Sequence, residues 1–295
     1  MAFLSAESPD LPELLDALDI ELLWHPSLSA LPPRAHAGLV ERIKNGEQRL
    51  DILVVEGAVI RGPAGTGMYH AAEDNPRKNT LVALARKANI VVALGTCACF
   101  GGIGVDTEIQ STGLQYQGRK RGGILGEQFL SGKGLPVINL AGCPCHHDVI
   151  ASALYSLATG QPLELDEYQR PLEWYGLLVH QGCTRNEYHE YRVEEEDFGE
   201  VGCMFFHLGC HGPLVPGPCN KLLWSRRSSK TRVGAPCLGC TDPDFPPKYA
   251  FFETRNTAGI PTVLPWGMNR AHYLAYKGMA AAAAPERLKK RLTRI

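Results

Sequence analysis

Ile90-Val91-Val92-Ala93-Leu94-Gly95-Thr96-Cys97 is the stretch that decides the fold class of this 295-residue chain. Its unbroken apolar run, ended by a glycine, suits a strand buried on both faces, as in a parallel sheet. Two more runs have the same form: Asp51-Ile52-Leu53-Val54-Val55 ends at Glu56-Gly57, and Pro136–Leu140 leads into Ala141-Gly142-Cys143-Pro144. Ile20–Trp24 is a shorter strand candidate. Between these runs Ala35–Lys44, Asn79–Lys87 and Asp148–Thr159 read as helices, and the alternation predicts a doubly wound α/β domain. Ligands of such sheets gather beyond the carboxyl ends of the strands. Glu56, Cys97 and Cys143 all stand at such ends.

Working outward, the rhythm changes near Asp166–Pro171. This predicts one domain over residues 1–165 and a second, loop-rich one over 166–295, where Gly, Pro and Cys replace periodic apolar stretches. Such a segment is better ordered by bound metal than by a core of its own. Within it stand His180-x-x-Cys183, Cys203, Cys210, Cys219 and Cys237-x-x-Cys240. His180, Cys183, Cys203 and Cys210 make a complete four-ligand set. Cys219, Cys237 and Cys240 make three, because the position eleven after Cys219 is Lys230. Spacing alone leaves structural zinc, iron–sulfur clusters and plain buried thiols open. Zinc normally takes four ligands, so a three-thiol set leans toward a three-iron cluster or a borrowed ligand.

The remaining motifs read more plainly. Cys97-Ala-Cys99 and Cys143-Pro-Cys145 each offer two thiols at a strand end; a small buried hydrophobe is the usual role of such a cysteine. Gly62-Pro63-Ala64-Gly65-Thr66-Gly67 lacks the Gly-Lys-Ser/Thr ending of a phosphate loop and reads as a turn. Cys145-His146-His147 reads as surface residues where a helix begins. Glu56 is either a proton-relay carboxylate or a polar strand end. Ala280–Arg294, Ala-rich and then basic, reads as a solvated surface helix.

Composition narrows the function classes. A formal net charge of -1 gives no basic face for nucleic acid. No apolar run reaches the roughly 18–20 residues that span a bilayer. Met1–Glu7 shows neither the basic nor the apolar region of an export signal. A cytoplasmic location is expected, with peripheral membrane association compatible with it. There ten cysteines are metal ligands more often than disulfides.

Taken together, these residues resemble the small subunit of NiFe hydrogenases, above all the cytosolic uptake group of cyanobacteria and actinobacteria. The resemblance rests on Leu23-Trp24-His25-Pro26-Ser27-Leu28, Asp51–Gly57, Gly65-Thr66-Gly67, and Cys97 followed by Gly101-Gly102-Ile103. It continues through Gly113–Gln115 and Leu135–Asn139 into Gly142-Cys143-Pro144. Most specific is Cys219-Asn220-Lys221-Leu222-Leu223-Trp224, through Ser228–Arg232, to Pro236-Cys237-Leu238-Gly239-Cys240. The resemblance implies a flavodoxin-like domain followed by an iron–sulfur domain, in an electron-transfer subunit active only with a large subunit that holds the Ni-Fe site. It implies Cys97 and Cys143 at a proximal cluster (4Fe-4S or 3Fe-4S). Cys219, Cys237 and Cys240 would hold a medial 3Fe-4S cluster, and His180, Cys183, Cys203 and Cys210 a distal 4Fe-4S cluster. Electrons from H2 would leave toward a quinone or redox carrier. The family opens with a strand and a cysteine-bearing loop ahead of a stretch like Met1–Glu7, so a strand and a proximal ligand are expected upstream; Cys99 or Cys145 is the substitute otherwise. A regulatory H2 sensor is the alternative within the family, disfavoured by Lys230 where sensors carry a fourth cysteine. A zinc-stabilised interaction protein is the non-enzymatic alternative.

Overall fold

The computed structural model describes residues 9–72, 74–265 and 267–289. The stretch Met1–Glu7 and the end of the Ala280–Arg294 helix lie outside the described residues. The chain forms two compact units, residues 1–172 with 243–245, and residues 173–242 with 246–295.

Unit 1 is built on three parallel strands, β1 (Ile52–Glu56), β2 (Ile90–Leu94) and β3 (Ile138–Leu140), in the order β1-β2-β3. Ile52 pairs with Ile90, Glu56 with Leu94, and Leu94 with Leu140. Each apolar run therefore became a strand within a residue or two of its expected bounds. β2 is the centre, with Val91 0% and Val92 1% exposed. Helices α1 (Leu11–Ala17), α2 (Pro33–Asn45), α3 (Arg77–Lys87), α4 (Thr96–Phe100) and α5 (His147–Thr159) complete the unit. Both ends of α5 are capped: His146 Nδ1 accepts the Asp148 N–H at the start and Gly160, in the left-handed region, ends it.

Ile20–Trp24 is not a strand in this structure. It makes no ladder, and on the outer side of β1 no strand pairs among the described residues. Instead a groove of about 1810 Å³ is lined by Ile20–His25 and by the whole of β1. An extended segment becomes a strand only beside a partner, whatever its composition. Val54, although in the middle of β1, is 42% exposed for the same reason.

The division between the units also differs in position from the expected 165/166. Residues 166–171 stay with the sheet because Asn139 on β3 donates its N–H to Gln169 O and its Nδ2 to Tyr168 O. Asp166 folds this loop on itself, accepting from the N–H groups of Tyr168 and Arg170 and from the Arg170 guanidinium.

Unit 2 has little regular structure. It contains α6 (Leu172–Tyr175), whose first residue belongs to unit 1, then α7 (Asn186–Glu190), a two-residue ladder of Asn256–Thr257 on Ile260–Pro261, α8 (Arg270–Ala282) and α9 (Glu286–Lys289). Its core packs Met204, Phe205, Phe206, Leu208 and Tyr273 together with Cys203 and Cys210. Among the described residues no helix is long and apolar enough to cross a membrane.

Candidate metal centres

In unit 1, Cys97 lies in the first turn of α4 and Cys143 in the loop after β3. The two loops are clamped together: Gly95 N–H donates to Leu140 O, Thr96 N–H to Gly142 O, and Gly142 N–H to Thr96 Oγ1 at 2.9 Å. The clamp aligns the ends of β2 and β3. Burial pushes the Cys97 thiol up, and the charge of Cys143 pushes it further. The two sulfurs thus lie within electrostatic reach of each other. Gly102, at φ +64°, passes so close that a Cβ there would stand 2.6 Å from Cys97 Sγ, so only glycine fits this crossing. Glu56, exposed, ends β1 in register with Leu94, at the same edge of the sheet.

Cys99 and Cys145 turn away from that edge. Both are buried, and the Cys99 thiol donates to Ala93 O on β2 at 3.4 Å. Burial, then the charge of Cys145, raises the Cys99 thiol far above the ordinary range. His146 and His147 were expected at the surface; they do begin a helix, but stacked on each other at 4.6 Å and buried. The apolar interior of α5 and the capping role of His146 draw them in.

In unit 2, His180, Cys183, Cys203 and Cys210 all line one cavity, with Arg185, Met204, Gly212, Asn220 and Thr231. Burial pushes Cys203 far up and Cys210 up to about 11, and the neighbouring cysteines add to both shifts. Cys219 is pushed up to about 11, by burial and then by Cys240, with Lys230 pulling the other way. Cys237 is raised well above its ordinary value by burial, then by Cys210, Cys240 and Cys219. Its backbone N–H donates to Cys210 Sγ at 3.3 Å, so the three-thiol and four-donor sets adjoin.

Such donor sets pass a simple test for iron–sulfur clusters. Several buried thiols facing one another ionise only at great cost, since each thiolate is desolvated and repelled by the next. Iron cations in place of the protons remove both penalties, and a backbone N–H to a cysteine sulfur is the polar support a cluster ligand uses. The unit 2 sets have the number and softness of donors required. The unit 1 set, two thiols, is chemically right but short of four.

Three residues that spacing did not single out complete the unit 2 site. His189 stands with its ring 4.4 Å from that of His180 and its Nδ1 3.5 Å from Cys203 Sγ. Burial, then the charges of His180 and Arg192, lowers it to about 3 and keeps it neutral. Arg185 donates its backbone N–H to Cys183 Sγ, while its guanidinium holds Glu195, Gly202 O and Thr231 O. Asn220 is a buried hub: Nδ2 donates to Val179 O, and Oδ1 accepts from Ser229 and Thr231. Arg185, two after a cysteine, and Asn220, next to Cys219 in the most specific matching stretch, had some signal in the sequence; His189 had none.

Soft donors at a sheet's carboxyl edge and in a cysteine-ordered unit define an iron–sulfur electron-transfer protein. Comparison with known proteins agrees. Residues 1–157 match the family described as NADH ubiquinone oxidoreductase, 20 Kd subunit, and residues 175–253 match the C-terminal part of the NiFe/NiFeSe hydrogenase small subunit. The F420 non-reducing hydrogenase I small subunit of Methanosarcina mazei is 32% identical over 284 residues, 87% of this chain and 73% of that protein. The periplasmic NiFe hydrogenase small subunit 1 of Nitratidesulfovibrio vulgaris is 31% identical over 260 residues, 85% of this chain and 77% of its own. Among solved structures, the actinobacterial-type NiFe-hydrogenase from Ralstonia eutropha H16 superposes with a TM-score of 0.74 at 26% identity, covering 97% of this chain and 87% of that one. This chain belongs to the small-subunit family of NiFe hydrogenases. It is an electron-transfer subunit that carries iron–sulfur clusters and pairs with a large subunit holding the Ni-Fe site.

Proposed function

We propose that this subunit serves H2 oxidation, with Cys97 and Cys143 at the proximal cluster, Cys219, Cys237 and Cys240 at a medial 3Fe-4S cluster, and His180, Cys183, Cys203 and Cys210 at a distal 4Fe-4S cluster. The observation that carries the reading is the shared cavity of the four unit 2 donors, with Cys237 bonded to Cys210 beside it. When bound, the clusters accept and release single electrons. The chain's own residues do the rest. Burial strips water from the sulfurs, Arg185 and Cys237 aim N–H groups at them, and neutral His189 crowds His180 without adding charge. Lys230 acts on Cys219 from the place a fourth cysteine would take, which supports three irons there and the uptake reading over the sensor. Glu56, exposed at the sheet edge, suits a proton relay.

The open edge of β1 would accept a further parallel strand, and such a strand is the place for the ligand the proximal set lacks. The groove lined by β1 and the unpaired Ile20–Trp24, with Leu39, Val40 and Ile43 on its wall, supports this reading. Inward-facing Cys99 and Cys145 are poor substitutes.

EPR of the heterodimer with the large subunit, oxidised and then reduced with H2, tests the cluster assignment. In Cys237→Ser the three-iron signal and H2-dependent dye reduction should disappear while the subunits stay together. Unchanged spectra would overturn the medial assignment, and stoichiometric zinc without iron would overturn the whole reading.

A further inference from the structure

Arg192 closes the helix that follows the first two distal donors. Its N–H donates to His189 O, and the next N–H, of Val193, donates to Tyr188 O at 2.9 Å. A helix end closed in this way normally takes glycine, because the backbone enters the left-handed region. Arg192 stands there at φ +57°, so the position carries a strain that glycine would not. The strained backbone leans on a metal donor: Val193 O accepts the Cys203 N–H at 2.8 Å.

The side chain of Arg192 runs among rings. Its guanidinium carbon stands 3.8 Å from the centre of the Tyr273 ring and 4.6 Å from that of Phe206, and Nη1 donates to the Tyr273 hydroxyl. Tyr273 and Phe206 are both buried and share a core cluster with Cys203 and Cys210. Phe206 stacks on His189 at 5.3 Å, and His189 adjoins His180 and Cys203. A column of rings therefore joins the cation to two of the four distal donors.

Among the described residues no carboxylate pairs with this cation. Its acidic neighbours in the chain are engaged elsewhere: Glu190 accepts from Asn186, Glu194 holds His207 at 2.8 Å, and Glu195 is held by Arg185. A charge set between rings instead of water is weakly screened. Its reach is visible at His189, kept neutral by burial first and then by the charges of His180 and Arg192.

We infer that Arg192 is a positioning residue of the electron path: its charge raises the reduction potential of the distal cluster and so favours the last electron step inside the subunit. The inference rests on the distal assignment made above. The reduced form of a cluster holds one more negative charge than the oxidised form, with no bond made or broken, and an unneutralised cation nearby favours it. Arg185 differs in kind. Glu195 neutralises it, and it works through its N–H on Cys183 Sγ, whereas Arg192 works through its field.

The test is an EPR-monitored redox titration of the heterodimer with its large subunit. Arg192→Gly removes the charge and suits the left-handed backbone, so the helix end keeps its shape. It should lower the equilibrium constant for reducing the distal cluster about 10-fold, which is about 59 mV for a one-electron couple. Arg192→Asn, also at ease in that conformation, should give the same fall. Arg192→Lys keeps the charge and should hold the original potential. Arg287→Ala removes an exposed cation of the same unit, already paired with Glu187, and should leave the potential in place. A distal potential unmoved in both uncharged variants overturns the inference. So does an equal fall in Arg192→Lys, which would make packing and not charge the cause. Absence of a reducible four-iron signal in the unmodified complex overturns the distal assignment itself, and the inference with it.

Discussion

The sheet unit buries Val91, Ala93 and Val137 completely without help from Cys97 or Cys143, which stand at its rim. In unit 2 two of the cysteines are inside: Cys203 and Cys210 are members of the core cluster, and among the described residues the surrounding chain has few helical turns and one two-residue ladder. One unit carries its ligands at the rim of a sheet; the other builds two of them into its core, and its order is expected to depend on them. The difference follows from composition, since a segment short of apolar periodicity cannot offset chain entropy by burial alone.

Removing iron with a chelator under reducing conditions should break the comparison open. Hydrogen exchange is expected to rise steeply across residues 179–240 while the amides of β2 and β3 stay protected. Equal loss of protection in both units would show that the sheet, too, depends on metal.

Asn220 is the next largest effect. In unit 2 it fills the place of a core side chain, with three hydrogen bonds inside the fold. Asn220→Ala should lower stability by about 2–3 kcal/mol, because it strands Val179 O, Ser229 and Thr231 away from water. Chemical denaturation of the holo complex, followed by cluster absorbance, would measure it, and a loss below experimental error would demote the hub.

Thr96→Val is the matching change in unit 1. It leaves the buried Gly142 N–H without its hydroxyl, at a cost of about 1–2 kcal/mol. The more specific expectation is a disturbed proximal EPR signal with the medial and distal signals intact, since the clamp aligns only the Cys97 and Cys143 loops. At the small end, Arg287→Ala removes an ion pair with Glu187 on the solvent face of unit 2. Exposed pairs are screened and entropically costly, so no shift in melting temperature is expected. A clear drop would mean that α9 supports unit 2 more than its exposure suggests.

Much of the sheet was legible because a run such as Ile90–Leu94 satisfies burial on both faces by itself. Ile20–Trp24 shows the limit. Four of its five residues are apolar, yet a strand is a pairing and not a composition, and beside it lies a groove. Asp166–Pro171 shows another: the segment reads as the start of a new domain, but Asn139 holds it to the sheet through two hydrogen bonds across some thirty residues.

By itself, the sequence determined which atoms can hold metal, and in what numbers. Cys219, Cys237 and Cys240 number three, with Lys230 where a fourth would stand, and His180 with Cys183, Cys203 and Cys210 makes four. Sulfur and imidazole chemistry is local to the residue, so spacing can reveal it. Only the tertiary structure decided the surroundings that make those atoms work. It turned Cys99 inward and left Cys97 at the rim, set His189 against His180, bonded Cys237 to Cys210, and brought Phe198 to Phe252 from more than fifty residues away. The longer of these contacts, Cys237 with Cys210 and Phe198 with Phe252, come from packing between separate segments, and no local pattern in the chain records which segments will meet.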